Sequence, residues 1–271
     1  MPAVRRTGTI DGMPGVQQNG EHPPLVRELL LIAAGFVGYF GVRAVTQGSA
    51  AAAAAHAHTL TSFERWLGVY WEPRLQEAIT DNRTVVTFMN WVYVWGHWPV
   101  IVAVAVWLYL RVPDEYRLIR NAFFISGGIG MVFFVFLPMA PPRLVDAGLT
   151  DTVARYSHAY RALQPPDLIN RYAAFPSLHF GWDLLIGIAL VRNASRWWLR
   201  GFGLVMPALM AVAVVLTANH WIVDVPAGGA IALLGLVAAI LLRRRGQRQN
   251  HEGPLIAREY SASDARIGLD A

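Results

Sequence analysis

Cysteine and lysine are both missing from the 271 residues, and charged residues of every kind make up only 15% of them. Without cysteine there is neither a disulfide framework nor a thiolate metal site, and the redox compartment is left unset. Without lysine, all 23 basic residues are arginine. So little charge, set against 55% hydrophobic residues and a mean hydropathy of +0.36, excludes an ordinary soluble domain and points to a membrane protein. The formal net charge of +5 comes without the basic-aromatic pattern of a nucleic-acid surface. It reads instead as topology information and as attraction to anionic membrane lipids. No internal repeat is present, and nothing in the sequence calls for a cofactor.

Residues 1–24 are rich in glycine and proline and lack apolar periodicity, which reads as a disordered tail. Six apolar stretches follow, at about 26–45, 85–110, 119–138, 178–192, 199–218 and 221–242, most of them near the ~20 residues that cross ~30 Å of hydrocarbon. The expected fold is therefore all-α, a polytopic integral membrane bundle of about six transmembrane helices. Its membrane-embedded domain would span residues 25–242, and a basic, disordered cytoplasmic tail 243–271 could touch anionic lipid.

Arginine placement sets the orientation, because positively charged short loops stay cytoplasmic. Arg243, Arg244, Arg245 and Arg248 place the end of the sixth stretch inside. Counting back, the loops with Arg111, Arg117 and Arg120, and with Arg192, Arg196 and Arg200, also fall inside, as do Arg5, Arg6 and Arg27. Both termini are thus expected in the cytoplasm, with residues 46–84, 139–177 and the turn at Ala218 to Trp221 outside. Arg143, Arg155, Arg161 and Arg171 are exceptions to the bias. A signal peptide with small-residue cleavage sites is the alternative reading of the first stretch and the following "GSAAAAAAHAH"; its removal would leave the orientation of the rest unchanged. His56 and His58 after the alanines are expected to be solvated. In "LTSFERWLGVYWEPRLQEAI", Leu60, Phe63, Leu67 and Tyr70 fall at helical spacing, which suits a helix in the outer interface or one buried against the bundle.

Three polar sites interrupt the apolar pattern, and the topology delivers all three to the outer face. In "PMAPPRLVDAG", the prolines end a helix and present Arg143, whose planar guanidinium suits bidentate phosphate binding and equally suits lipid headgroups. In "AAFPSLHFGWDLLIGIAL", Ser177 and His179 open the fourth stretch, where exposed amides and the helix dipole favour an anion; a helix cap is the plain alternative. Asp183 follows His179 by one turn and could orient it or hydrogen-bond another helix. In "TANHWIVDVPAGG", His220 and Asp224 are four residues apart, so that a carboxylate could fix the tautomer of a reactive imidazole. His97 in "VYVWGHWPVIV" reads as a buried hydrogen bonder or a pocket wall. A Ser-His-Asp hydrolase lacks its G-x-S-x-G elbow here, while a zinc site from His179, His220 and an aspartate stays geometrically open.

At these residues the sequence resembles the type 2 phosphatidic acid phosphatase superfamily, and more closely its inositol phosphorylceramide synthase-like branch, over roughly residues 26–242. "APPRLV", "FPSLHFGW" and "NHWIVDVPAGG" look like its first, second and third motifs. The resemblance implies that His220 attacks phosphorus to form a phosphohistidine and that Asp224 orients it. His179 would protonate the leaving oxygen, Arg143 and Ser177 would hold the non-bridging oxygens, and no metal would be required. Two departures stand out: the lysine usual in the first motif is missing, and apolar "AVAVVLTAN" replaces the usual Ser-Arg before the nucleophilic histidine. Charge neutralisation then falls to Arg143, with Arg155, Arg161 and Arg171 as further candidates. The expected activity is a lipid phosphatase or phosphotransferase acting outside the cytoplasm on a phospholipid or other lipid phosphate. Transfer to a lipid or polyol alcohol, simple hydrolysis of a lipid phosphate or pyrophosphate, and non-catalytic lipid or anion carriage are the competing forms.

Overall fold

The computed structural model describes residues 22–45, 50–145, 148–156 and 171–267, and among these there is no strand. Residues 1–21 of the expected N-terminal tail, and Arg161, lie outside the described residues. The helices are α1 (Leu25–Val45), α2 (Ala50–Leu67), α3 (Glu72–Thr80), α4 (Arg83–Trp95), α5 (Trp98–Arg111), α6 (Pro113–Phe136), α7 (Thr152–Tyr156), α8 (Leu178–Asn193), α9 (Trp197–Leu216) and α10 (Asp224–Ile267). A 3-10 turn at Pro142–Leu144 carries Arg143.

The six apolar stretches all become helical, but they are not six uninterrupted spans. α1, α6, α9 and the first part of α10 are each long and apolar enough to cross a membrane, and α4 with α5, bent by 42° at their break, together have the length and apolarity of a broken span or a re-entrant loop. The bend has a local cause. Pro99 has no N–H and its ring collides with the carbonyl four residues back, so the helix stops at Gly96 and restarts after His97. The fourth stretch, α8, has only 16 residues, about 24 Å at 1.5 Å per residue, which is short of the hydrocarbon thickness. Large apolar side chains such as Val37, Trp91, Val102, Val132 and Leu234 face outward, as a lipid solvent allows. The chain is a multi-pass, all-α membrane bundle.

α8 occupies the middle, packed by α5, α6, α9 and α10. Leu185, Ile186 and Ala189 are buried, which is why this helix is apolar all round rather than on one stripe. Small residues let the backbones approach closely. A Cβ on Gly181 would stand 2.5 Å from the Gly228 carbonyl oxygen of α10, and one on Gly203 of α9 would stand 2.9 Å from the Gly187 oxygen. The start of α8 is thereby pressed against the start of α10.

Several expectations change. The "GSAAAAAAHAH" alanines belong to α2, whose buried stripe is Ala53, Ala57, Thr61 and Glu64, while Phe63, Trp66 and Leu67 face outward. Gly68, at φ 73°, ends that helix before Tyr70, so the single helix read through this region is two. His58 is exposed as expected, but His56 is part-buried, its Nδ1 2.8 Å from the Pro138 carbonyl, tying α2 to the loop after α6. At the other end, the backbone past residue 243 continues as α10 to Ile267. The loop arginines also change setting: Arg120 sits within α6 and pairs with buried Glu28 of α1, which Tyr116 also contacts at 3.1 Å.

Candidate active site

The three polar sites of the sequence converge at one end of α8. Ser177 is its N-cap: the buried hydroxyl accepts from Phe180 N–H at 3.4 Å, and its own N–H donates to the Asp224 carbonyl at 3.0 Å. The cap reading of Ser177 is therefore realised. One residue into the helix, half-buried His179 places its ring 5.7 Å from that of His220 and 4.5 Å from that of His97, with Tyr93 stacked on it at 4.8 Å.

His220 lies on the turn between α9 and α10. That turn is drawn back onto α9 by the Asn219 and His220 N–H groups, which both donate to the Val214 carbonyl, at 3.1 and 3.0 Å. It is also sharpened by Ala218 in the left-handed region at φ 57°. The His220 ring is buried. Its Nδ1 sits 2.6 Å from the Ala174 carbonyl oxygen and 3.3 Å from Asp224 Oδ2. Both partners are acceptors, so Nδ1 carries the proton and the lone pair resides on Nε2. Asp224 is itself held by accepting the Trp221 N–H at 2.8 Å.

Arg143 reaches the same turn. Its main-chain N–H donates to the Ala218 carbonyl at 3.2 Å, Nη1 donates to the Asn219 side chain, and Nε contacts Asp151 at 3.1 Å. One arm of the fork, Nη2, is left uncommitted among the described residues. The arginine, both histidines and the carboxylate are brought together as the motifs suggested. Asp183 is not part of that group: it lies 2.8 Å from His97 Nδ1, both side chains buried, so it joins α8 to the α4–α5 break and does not reach His179. Of the other arginines, Arg155 lies over the Tyr156 ring at 5.3 Å and Arg171 is exposed. Among the described residues no group of three or more His, Asp or Glu side chains is arranged to hold a metal ion.

The sequence reading missed Asn219, Asp151, Tyr93 and two acids, Glu64 and Glu72. Both glutamates are buried, and they accept the N–H groups of Val223 and Ile222 at 3.0 and 2.9 Å. Asn219 adjoins the histidine in "TANHW" and could have been found there; the glutamates act across most of the chain and left no local signal.

A histidine of fixed tautomer, a second histidine and an arginine thus meet at one end of a helical membrane bundle. The model of the PAP2 superfamily matches residues 58–238, so the chain belongs to that superfamily. No curated protein and no solved structure matches it. The matched span begins in α2 and ends within α10, and it contains every site residue described above.

Proposed function

We propose that the protein transfers a phosphoryl-bearing group from a lipid phosphoester through a phosphohistidine on His220. The observation that carries this reading is the pair of acceptors on His220 Nδ1, Ala174 O and Asp224 Oδ2, which leaves the Nε2 lone pair for phosphorus. The N–P bond forms as the bond from phosphorus to the leaving oxygen breaks. His179 gives its proton to that oxygen and then takes one from the water or alcohol that attacks phosphorus, returning His220 to its starting state. The free arm of Arg143 and the α8 start at Ser177 hold the non-bridging oxygens, where the helix dipole favours negative charge.

The acceptor we favour is a lipid or polyol alcohol, as in inositol phosphorylceramide synthase-like transfer; the "APPRLV" form of the first motif supports that branch. Hydrolysis uses the same phosphoenzyme with water as acceptor. The arginine bias supports cytoplasmic termini and an extracytoplasmic site within a membrane domain of residues 25–242.

The test is a rapid quench into alkaline detergent after mixing the purified protein with labelled lipid phosphoesters. Wild type should form an acid-labile, base-stable adduct. His220→Ala should form none, and His179→Ala should accumulate it when the leaving group departs without needing the proton, because only breakdown then depends on His179. Undiminished turnover in His220→Ala overturns the mechanism, and tight lipid-phosphate binding with neither adduct nor product in wild type assigns a carrier instead.

A further inference from the structure

Three consecutive main-chain N–H groups follow His220, and each donates to a different carboxylate. Trp221 donates to Asp224 at 2.8 Å, Ile222 to Glu72 at 2.9 Å and Val223 to Glu64 at 3.0 Å. These are donors that the start of α10 cannot satisfy within its own helix. Asp224 is local, but Glu64 comes from the end of α2 and Glu72 from the start of α3. Both are buried, at 0% and 1% exposure. Each uses Oε1 on the turn, and each Oε2 is buried without a hydrogen-bond partner. Two ionised carboxylates so placed, with Asp224 behind them, would repel one another in a medium that screens poorly. A single proton converts one of them into a donor to the other.

We propose that Glu64 and Glu72 hold one proton between them and act as a positioning pair, clamping the turn that presents His220. This rests on His220 as the reacting group. Burial, opposed by the Val223 N–H and aided by Glu72 and Asp224, pushes Glu64 up to about 8. The ionisable groups that face Glu64 are Glu72 from α3 and Asp224 from α10, with His220 on the far side of Asp224. Its helical neighbour Arg65 lies over the Tyr70 ring at 4.6 Å. Below pH 8 the pair is closed. Above it the last shared proton leaves, three carboxylates face one turn, and the nucleophile loses its fixed position.

The test uses the full-length protein in detergent. Infrared difference spectra taken on either side of pH 8 should show a carboxylic-acid carbonyl band in wild type that is lost in Glu64→Gln. Glutamine mimics the protonated acid, with Oε1 accepting from Val223 and its amide donating to Glu72. Glu64→Gln should therefore keep turnover near wild type while removing the alkaline limb of the kcat profile. Glu64→Ala should lose about tenfold or more in kcat with little change in KM, as expected of misplacement rather than lost binding. A Glu64→Gln protein that retains the wild-type band and alkaline limb, or one that is folded but inactive, overturns the clamp. The infrared band is read without substrate, so it tests the shared proton even if His220→Ala proves the phosphohistidine reading wrong.

Discussion

Adding one methyl group at Gly228 should disable the enzyme without touching either His179 or His220. Gly228 lies one turn into α10, against the main chain of Ser177 at the start of α8. A Cβ built there would stand 2.7 Å from the Ser177 carbonyl carbon and nearer still to its oxygen. Non-bonded carbon atoms settle at about 3.5–4.0 Å, so the two helix starts must part by about 1 Å. The partner contact is no softer, because the Gly228 carbonyl already packs on the Gly181 backbone. The movement opens the gap between His179, carried by α8, and His220, carried by the turn before α10. A displacement of about 1 Å at a reacting centre costs on the order of a hundredfold, or roughly 2.7 kcal/mol in activation free energy. Overpacking itself should cost about 1–3 kcal/mol of stability. Turnover of a labelled lipid phosphate by Gly228→Ala, measured alongside its thermal unfolding and its elution from a sizing column, separates the two effects. Gly128→Ala is the control: nothing lies within 4 Å of a Cβ there, so turnover should be unchanged. A folded Gly228→Ala protein with wild-type turnover would refute the claim that the close crossing of α8 and α10 sets the geometry of the site.

Other perturbations test other parts of the structure. Asp183→Ala strands the buried His97 nitrogen and should lower stability by about 1–3 kcal/mol, whereas Asp183→Asn keeps an acceptor and should cost less; thermal unfolding in detergent ranks the two. Glu28→Gln leaves Arg120 without its carboxylate and should destabilise the protein by about 3 kcal/mol, with proteolysis between α1 and α2 reporting the loosening of α1. Stability should also fall as pH rises from 4.5 to about 8, because over that window folded Glu64 keeps a proton that the unfolded chain has released. Glu64→Gln should flatten that slope, and an unchanged slope would assign it to another group.

The parts of this fold that depend on composition over about twenty residues were legible in the sequence. Long apolar runs marked α1, α6, α9 and α10, and the same signal located α8 despite its length. What the runs concealed was the break at Gly96 and His97, because the hydropathy of residues 85–110 continues through it while Pro99 interrupts the hydrogen-bond ladder. α2 was harder for the opposite reason. Its buried stripe consists of alanines, a threonine and a glutamate, and its large apolar side chains face outward, so a reading that sends large apolar residues inward inverts it. In the site, His220 and Asp224 were legible because a one-turn spacing is itself a geometric statement. Asp183 has that spacing from His179 yet bonds to His97, which shows that spacing permits a contact without selecting it. Glu64 and Glu72 were out of reach, since their partners are amide groups that look alike in every residue.

The end of the bundle that carries the site is laced together by main chain. The Met139 N–H donates to the Tyr172 carbonyl and the Ala174 N–H to the Met139 carbonyl, while Ala140 donates to Ala53 and Arg143 to Ala218. Such bonds make no demand on side-chain identity, apart from barring proline where an N–H is needed. The scaffold and the recognition surface are therefore separable. Side chains around the site can be exchanged while the lacing keeps the histidines in register. The seam gives this architecture a stable frame around a replaceable lining.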